Sequence, residues 1–248
     1  MDTTMIVVTA LSFGLSFLFA LGGIGAAIAL VPVLHWYGLP LATARPTGLF
    51  VNTLSMAGAS YSNIKNKRLD FRMGIPLILS TSLLAPLGAW STLFVPRSIV
   101  LIVFICFLIF SSSMMIFFKG SAYANQYRDD RPVLLPSLIG AVAGYLSGLL
   151  GVGGGGLISP LMILLGFNPK KVAAITAFVV PFSSLIGFIS YSIIGIANWH
   201  LLIPAALAAW IGGYAGTHFM NSKMKPNTVK KLLGFLLLLL AIKMMFMV

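Results

Sequence analysis

The sequence predicts an all-α polytopic membrane protein with eight hydrophobic segments arranged as two homologous halves. Three observations lead there. Apolar residues make up 59% of the 248 residues and charged residues 8%, too little polar material to clothe a soluble core of this size. Two long apolar runs are broken by glycine and proline in the same way, 128 residues apart: GIGAAIALVP from Gly23 to Pro32, and GVGGGGLISP from Gly151 to Pro160. The basic residues sit in short loops between apolar runs, where membrane proteins place them.

The repeat extends beyond the breaks. At an offset of 128, Pro76 falls on Pro204 and Gly88 on Gly216; one further residue of slip puts Thr47 on Thr176 and Gly58 on Gly187. Each half therefore reads as one broken run followed by three plain runs. In the first half these are about 5–34, 43–62, 73–94 and 98–118, and in the second about 133–167, 172–195, 199–220 and 227–248. The membrane repeats are expected over 1–120 and 132–248, joined by a loop at 121–131. Plain runs of this length suffice, at about 1.5 Å per residue, to cross a hydrocarbon layer of about 30 Å. The broken runs divide at Gly22-Gly23 and its counterpart into shorter limbs, suited to enter and leave on one side.

Charge separates two topologies. If all eight runs cross, the sixteen basic residues divide evenly between the faces. If the broken runs are re-entrant, one face keeps only Arg45, Arg97 and Lys243, and the other thirteen share the opposite face. The positive-inside rule then makes those loops cytoplasmic and puts both termini outside. Three crossings per half also make the repeat inverted. Equivalent loops agree: 63–72 is basic where its partner at 196–199 carries no charge. The first apolar run follows Met1-Asp2-Thr3-Thr4, which lacks a basic leader, and is expected to be retained in the membrane.

Several function classes drop out. The formal charge of +12 belongs to membrane loops, so nucleic acid is not an expected partner. Cys106 is the only cysteine, which excludes a disulfide framework, and no lysine-serine or lysine-threonine pair follows a glycine loop as ATP hydrolysis would need. Asp2, Asp70, Asp129 and Asp130 are the only acidic residues, all at the N-terminus or in loops. Carboxylates inside the membrane serve cation transport and proton relays, and paired ones serve hydrolysis; none is expected here, nor any metal or cofactor. The chain does not read as an enzyme.

What remains suits a small anion in a lipid bilayer. A broken helix offers free N–H groups and the positive end of a dipole, and glycine lets an anion approach the backbone. The candidate substrate-binding residues are Gly23, Gly25, Ala26 and Ala27 in the first break and Gly151, Gly153, Gly154, Gly155 and Gly156 in the second. Arg45, Thr47 and Thr176 open the runs that follow. Each also has a plainer reading: glycines for tight packing, Arg45 as an interfacial cation, threonines bonding their own helix. Asn52, Ser183 and Ser184 are further small polar residues in the same runs. Gly140, Gly144, Gly148, Gly212 and Gly216 read as packing glycines.

These residues resemble the repeated glycine–proline motif of the TauE/SafE-type sulfite exporter family. The resemblance rests on GIGAAIALVPVL and GVGGGGLISPLMIL, on Ala44 to Thr47 and Ala173 to Thr176, and on Ala197 to Trp199 with Pro204 and Gly212 to Gly216. It implies a secondary permease of a bacterial or archaeal inner membrane, for small anions such as sulfite, sulfonates or related organosulfur compounds. The chain departs from the pattern where Ala26 and Ala27 replace glycines and at Arg45-Pro46. A passive anion channel and a non-transporting membrane scaffold stand as alternatives.

Overall fold

The structure, a computed structural model, describes residues 3–117, 130, 132–194, 199–223 and 226–246. Nearly all of the expected loop 121–131, the Ala197-Asn198 turn, Asp2, Asp129 and the two chain ends lie outside the described residues. Among the described residues there are ten α-helices and no strand: α1 Thr3–Ala20, α2 Ala27–Trp36, α3 Leu41–Lys65, α4 Phe71–Ser91, α5 Arg97–Phe117, α6 Leu134–Leu150, α7 Gly155–Leu164, α8 Pro169–Ile194, α9 Trp199–Lys223 and α10 Pro226–Met245. The two broken runs are the helix pairs α1/α2 and α6/α7. Each expected plain run appears as one helix.

Helix limits recur at the interval of the sequence repeat. α2 and α7 start and end 128 residues apart, as do the starts of α3 and α8 and of α4 and α9. Left-handed glycines recur at the same interval: Gly23 and Gly25 at φ 66° and 92°, Gly151 and Gly153 at 72° and 76°. Side chains disfavour this region by about 1–2 kcal/mol, which is why glycine punctuates both breaks.

α3 and α8 form the centre and run antiparallel. Arg45 lies beside Tyr191, Leu49 beside Gly187, Asn52 beside Ser184 and Ser60 beside Ala177, so position rises on one helix as it falls on the other. α9 packs on α3 and α1 on α9; α4 packs on α8 and α6 on α4. α5 and α10 pack on each other, and touch α7 and α2 respectively. The glycines of α6 and α9 lie in these seams. A methyl group on Gly144 or Gly148 would strike the Thr81 or Ala85 carbonyl of α4, and one on Gly212 or Gly216 the Phe13 or Phe17 carbonyl of α1. Small residues let helix backbones approach where lipid offers no hydrophobic drive.

The same contacts set directions. α1 runs parallel to α9, whereas α2 returns antiparallel to α3, with Ala27 at the level of Asn52 and Val31 at that of Gly48. In each broken run the first limb is the longer: the 18 residues of α1 extend about 27 Å and the 17 of α6 about 25 Å, against about 15 Å for the 10 residues of α2 and of α7. Each first limb thus passes the middle before the chain turns back.

Outward faces are apolar. On α4, Ile75, Leu79, Leu83 and Leu87 form a row at four-residue spacing, 49–70% exposed, where a water-facing helix would carry polar groups. Among the described residues, three segments, Phe71–Ser91, Ser98–Phe117 and Lys170–Ile193, are long and apolar enough to cross a membrane by length and composition. Cys106 lies within its apolar run on α5, with its side chain exposed.

Candidate functional site

Asn52 holds the centre. Its side chain is fully buried, its Oδ1 accepts the Ala27 N–H at 3.3 Å, and its Nδ2 donates to Ser184 Oγ at 2.9 Å. Side chains added at Gly25 or Gly153 would both collide with this amide. One residue of α3 therefore touches both breaks and α8 together. Gly155 closes the arrangement, because a methyl group there would fall on the Ile24 carbonyl of the first break.

Two helix N-termini converge on this point. α2 begins at Ala27 after Ala26, and α7 at Gly155 after Gly154, neither with a side-chain cap. Among the described residues, the N–H groups of Ala26, Ile28, Gly154, Gly155 and Gly156 meet no acceptor, while that of Ala27 has only Asn52. All of Gly23 to Pro32 and Gly151 to Pro160 is buried. An orphaned buried polar group costs about 1–3 kcal/mol, so the place is built for an acceptor from outside the chain. The dipoles add positive potential from both sides.

Other polar groups here serve the fold, and proline explains two of them. Pro160 cannot bond the carbonyl four residues before it; Ser111 Oγ donates to that orphan, Gly156 O, at 3.0 Å. Pro181 likewise frees Ala177 O, which accepts from Ser60 Oγ at 2.7 Å. The ends of the long limbs are treated alike. Tyr191 Oη donates to Gly148 O at 2.8 Å at the end of α6, and Thr217 Oγ1 to Ala20 O at 3.3 Å at the end of α1. Sequence reading passed over Ser111, Ser60 and Tyr191. A proline four residues beyond each freed carbonyl was the available signal for the first two.

The expected residues divide accordingly. Gly25, Ala26, Ala27, Gly153, Gly154, Gly155 and Gly156 surround the N-terminal convergence. Gly23 and Gly151 lie at the outer turns: Gly23 against Ala173 of α8, and Gly151 against Arg45 of α3, whose Cβ would lie 2.6 Å from an added methyl. Arg45 and Ala173 are themselves 128 residues apart. Arg45 is only 8% exposed, has no carboxylate partner among the described residues, and lies by the Tyr191 hydroxyl. Thr47 gives its one proton to Thr43 O at 2.7 Å, and Thr176 accepts from Ser159 Oγ at 3.2 Å. Asn52 and Ser184 are central instead.

Apolar layers close the centre on both sides. Leu49, Ala89, Phe188, Tyr191 and Leu202 lie toward the Arg45 end. Ala20, Met56, Ala59, Ala177 and Val180 lie toward the other end, a thinner layer of mainly small residues.

A family model described as "Sulfite exporter TauE/SafE" matches residues 8–244. The "Probable membrane transporter protein YunE" of Bacillus subtilis is 27% identical, over 90% of this chain and 91% of its own length. A protein of Methanocaldococcus jannaschii, also named a probable membrane transporter, is 25% identical over 88% of this chain and 86% of its own. The "Sulfite exporter TauE/SafE family protein 1" of Arabidopsis thaliana is 37% identical over 34% of this chain and 18% of its own length. No solved structure matches. The chain belongs to the sulfite exporter TauE/SafE family, a family of membrane transporters.

Proposed function

We propose that this family member is a secondary carrier of a small anion, bound between the N-termini of α2 and α7 and steadied by Asn52 and Ser184. One observation carries the reading: the unpartnered N–H groups of both helices meet at one buried point. The two described carboxylates, Asp70 and Asp130, are respectively the residue before α4 and a position outside every helix, so no described acid competes for that point. Sulfite, a sulfonate or a related organosulfur anion fits the donor set, and sulfite is the anion in the family's description.

The paired halves support an inverted repeat. Equivalent helices α3 and α8 run antiparallel, and α1 on α9 mirrors α6 on α4, as a two-fold relation requires. The return of α2 along α3 and of α7 along α8 supports re-entrant breaks. Loops carrying Lys65, Lys67 and Arg68 would then face the cytoplasm, and the chain ends the outside, in a cell inner membrane. Closure of the centre by an apolar layer on each side favours a carrier over an open channel.

Purified protein should be screened for thermal stabilisation by sulfite, sulfate, thiosulfate, taurine, sulfoacetate and simple carboxylates. A ligand binding only the folded state at about 100 times its dissociation constant adds roughly 2.7 kcal/mol. A sulfur oxyanion should stabilise the wild type clearly more than Gly155→Leu, whose central site is filled. Equal stabilisation of both would remove the reading.

A further inference from the structure

A second polar cluster lies at the opposite end of α3 from Arg45. Asn63, Arg68, Asn168, Lys170, Lys171 and Asn221 line a cavity of about 350 Å³. Eleven residues of α3 separate Asn63 from Asn52, about 16 Å of helix. Between them stands the thin layer of Met56, Ala59, Ala177 and Val180.

Local structure aims this cluster. Two residues past the end of α3, Lys67 takes the left-handed region at φ 53°, and the Arg68 N–H then bonds Asn63 O at 3.0 Å while the Lys67 N–H bonds Ile64 O at 2.9 Å. That turn carries Arg68 back over Asn63. Across the cavity, Asn168 caps α8 by accepting the Lys170 N–H at 2.9 Å, which directs the positive end of α8 inward. Asn221 is held by donating to Thr217 O at 2.9 Å. Lys171 pairs with Asp70 at 3.4 Å, so the cavity keeps one carboxylate at its edge beside three cations.

Asn63 is the independent sign of a ligand. It is 3% exposed, it lines the cavity, and its side-chain amide has no partner among the described residues. Its polar atoms reach accessible space at the cavity, where the neighbouring Arg68, Lys170 and Lys171 are cationic.

We propose that this cavity is a second anion site, binding an oxyanion group of the sulfate or phosphate type through Asn63, Arg68 and Lys170. It goes beyond the carrier reading, because such a group can bind here whether or not anything crosses at Asn52. Its position behind one thin layer makes it a vestibule where an anion waits before, or pauses after, the central site.

The test follows the reactivity of individual lysines toward an amine-directed reagent, read by mass spectrometry on the full chain in phosphatidylcholine nanodiscs. One arm adds sodium sulfate against sodium chloride of equal ionic strength; another adds phosphatidylglycerol without sulfate, to identify a lipid headgroup as the source. At twice the dissociation constant, occupancy should slow Lys170 about threefold. Exposed Lys243, at the far end of α10, should not change. Arg68→Gln, an exposed substitution, should lose most of the protection, and Asn63→Ala likewise. The proposal is overturned if neither arm protects Lys170, if Lys243 slows equally, or if Arg68→Gln remains fully protected. Gly155→Leu separates the two readings: it should abolish flux through the centre and leave protection of Lys170 intact.

Discussion

Gly155 opens α7 directly against the carbonyl of Ile24, so the two breaks touch backbone to backbone. Their repeat counterparts are Ala27 and Val152, and Ala27 tolerates a methyl group where Gly155 does not. The departure of the first motif from glycine thus has a steric cause. Gly155→Leu should abolish anion flux in proteoliposomes, because the side chain must displace the Ile24 carbonyl. Ala27→Gly should transport within about twofold of wild type, losing only helix propensity of roughly 1 kcal/mol. Active Gly155→Leu would show that the contact is dispensable.

Asn52→Asp separates a binding role from a structural one. A carboxylate between two helix N-termini gains about 0.3–1 kcal/mol from each dipole at typical exposure. The variant should fold with an unchanged or raised Tm, yet lose at least about tenfold in anion affinity, since its own charge occupies the site; that loss equals about 1.4 kcal/mol. Asn52→Leu should instead lower Tm, by stranding the Ala27 N–H and Ser184. Undiminished transport by Asn52→Asp would exclude anion binding at this point.

Ser111 and Pro160 should be energetically coupled. Ser111→Ala alone leaves Gly156 O without a donor and should cost about 1–3 kcal/mol. Pro160→Ala restores an N–H four residues beyond Gly156, so the serine substitution should then cost much less. A double-mutant cycle on unfolding free energies measures this, and additivity within about 0.5 kcal/mol would refute it.

The helices and their breaks were legible because glycine, proline and apolar run length act locally. Spacing alone placed Gly25 and Gly153 on equivalent turns. Distribution of roles was less legible. Thr47 matched Thr176 across the repeat, yet a threonine in a helix can spend its proton on the carbonyl four residues back, and Thr47 does so. Asn52 looked ordinary because its repeat neighbours Val180 and Pro181 are not amides. Its role arises only when α3 and α8 cross, a relation that no periodicity within one helix records. The seam of α1 on α9 is likewise a relation between helices: Gly212 and Gly216 admit the backbone of Phe13 and Phe17.

Arg45 tests whether a buried cation serves the anion or the helix ends beside it. Its stem packs on Gly151, and its head lies by Tyr191, whose hydroxyl already satisfies Gly148 O. Arg45→Leu keeps the stem contact and removes the charge. If Arg45 attracts the anion, the half-saturation concentration should rise at least about tenfold, or roughly 1.4 kcal/mol, with Tm nearly unchanged. If it mainly offsets the carbonyl end of α6, Tm should fall while half-saturation stays put. Because a guanidinium with no carboxylate partner at 8% exposure retains its capacity for an incoming anion, the first outcome is expected. Arg45→Lys should recover only part of the loss, since a point charge cannot reproduce paired donation to an oxyanion.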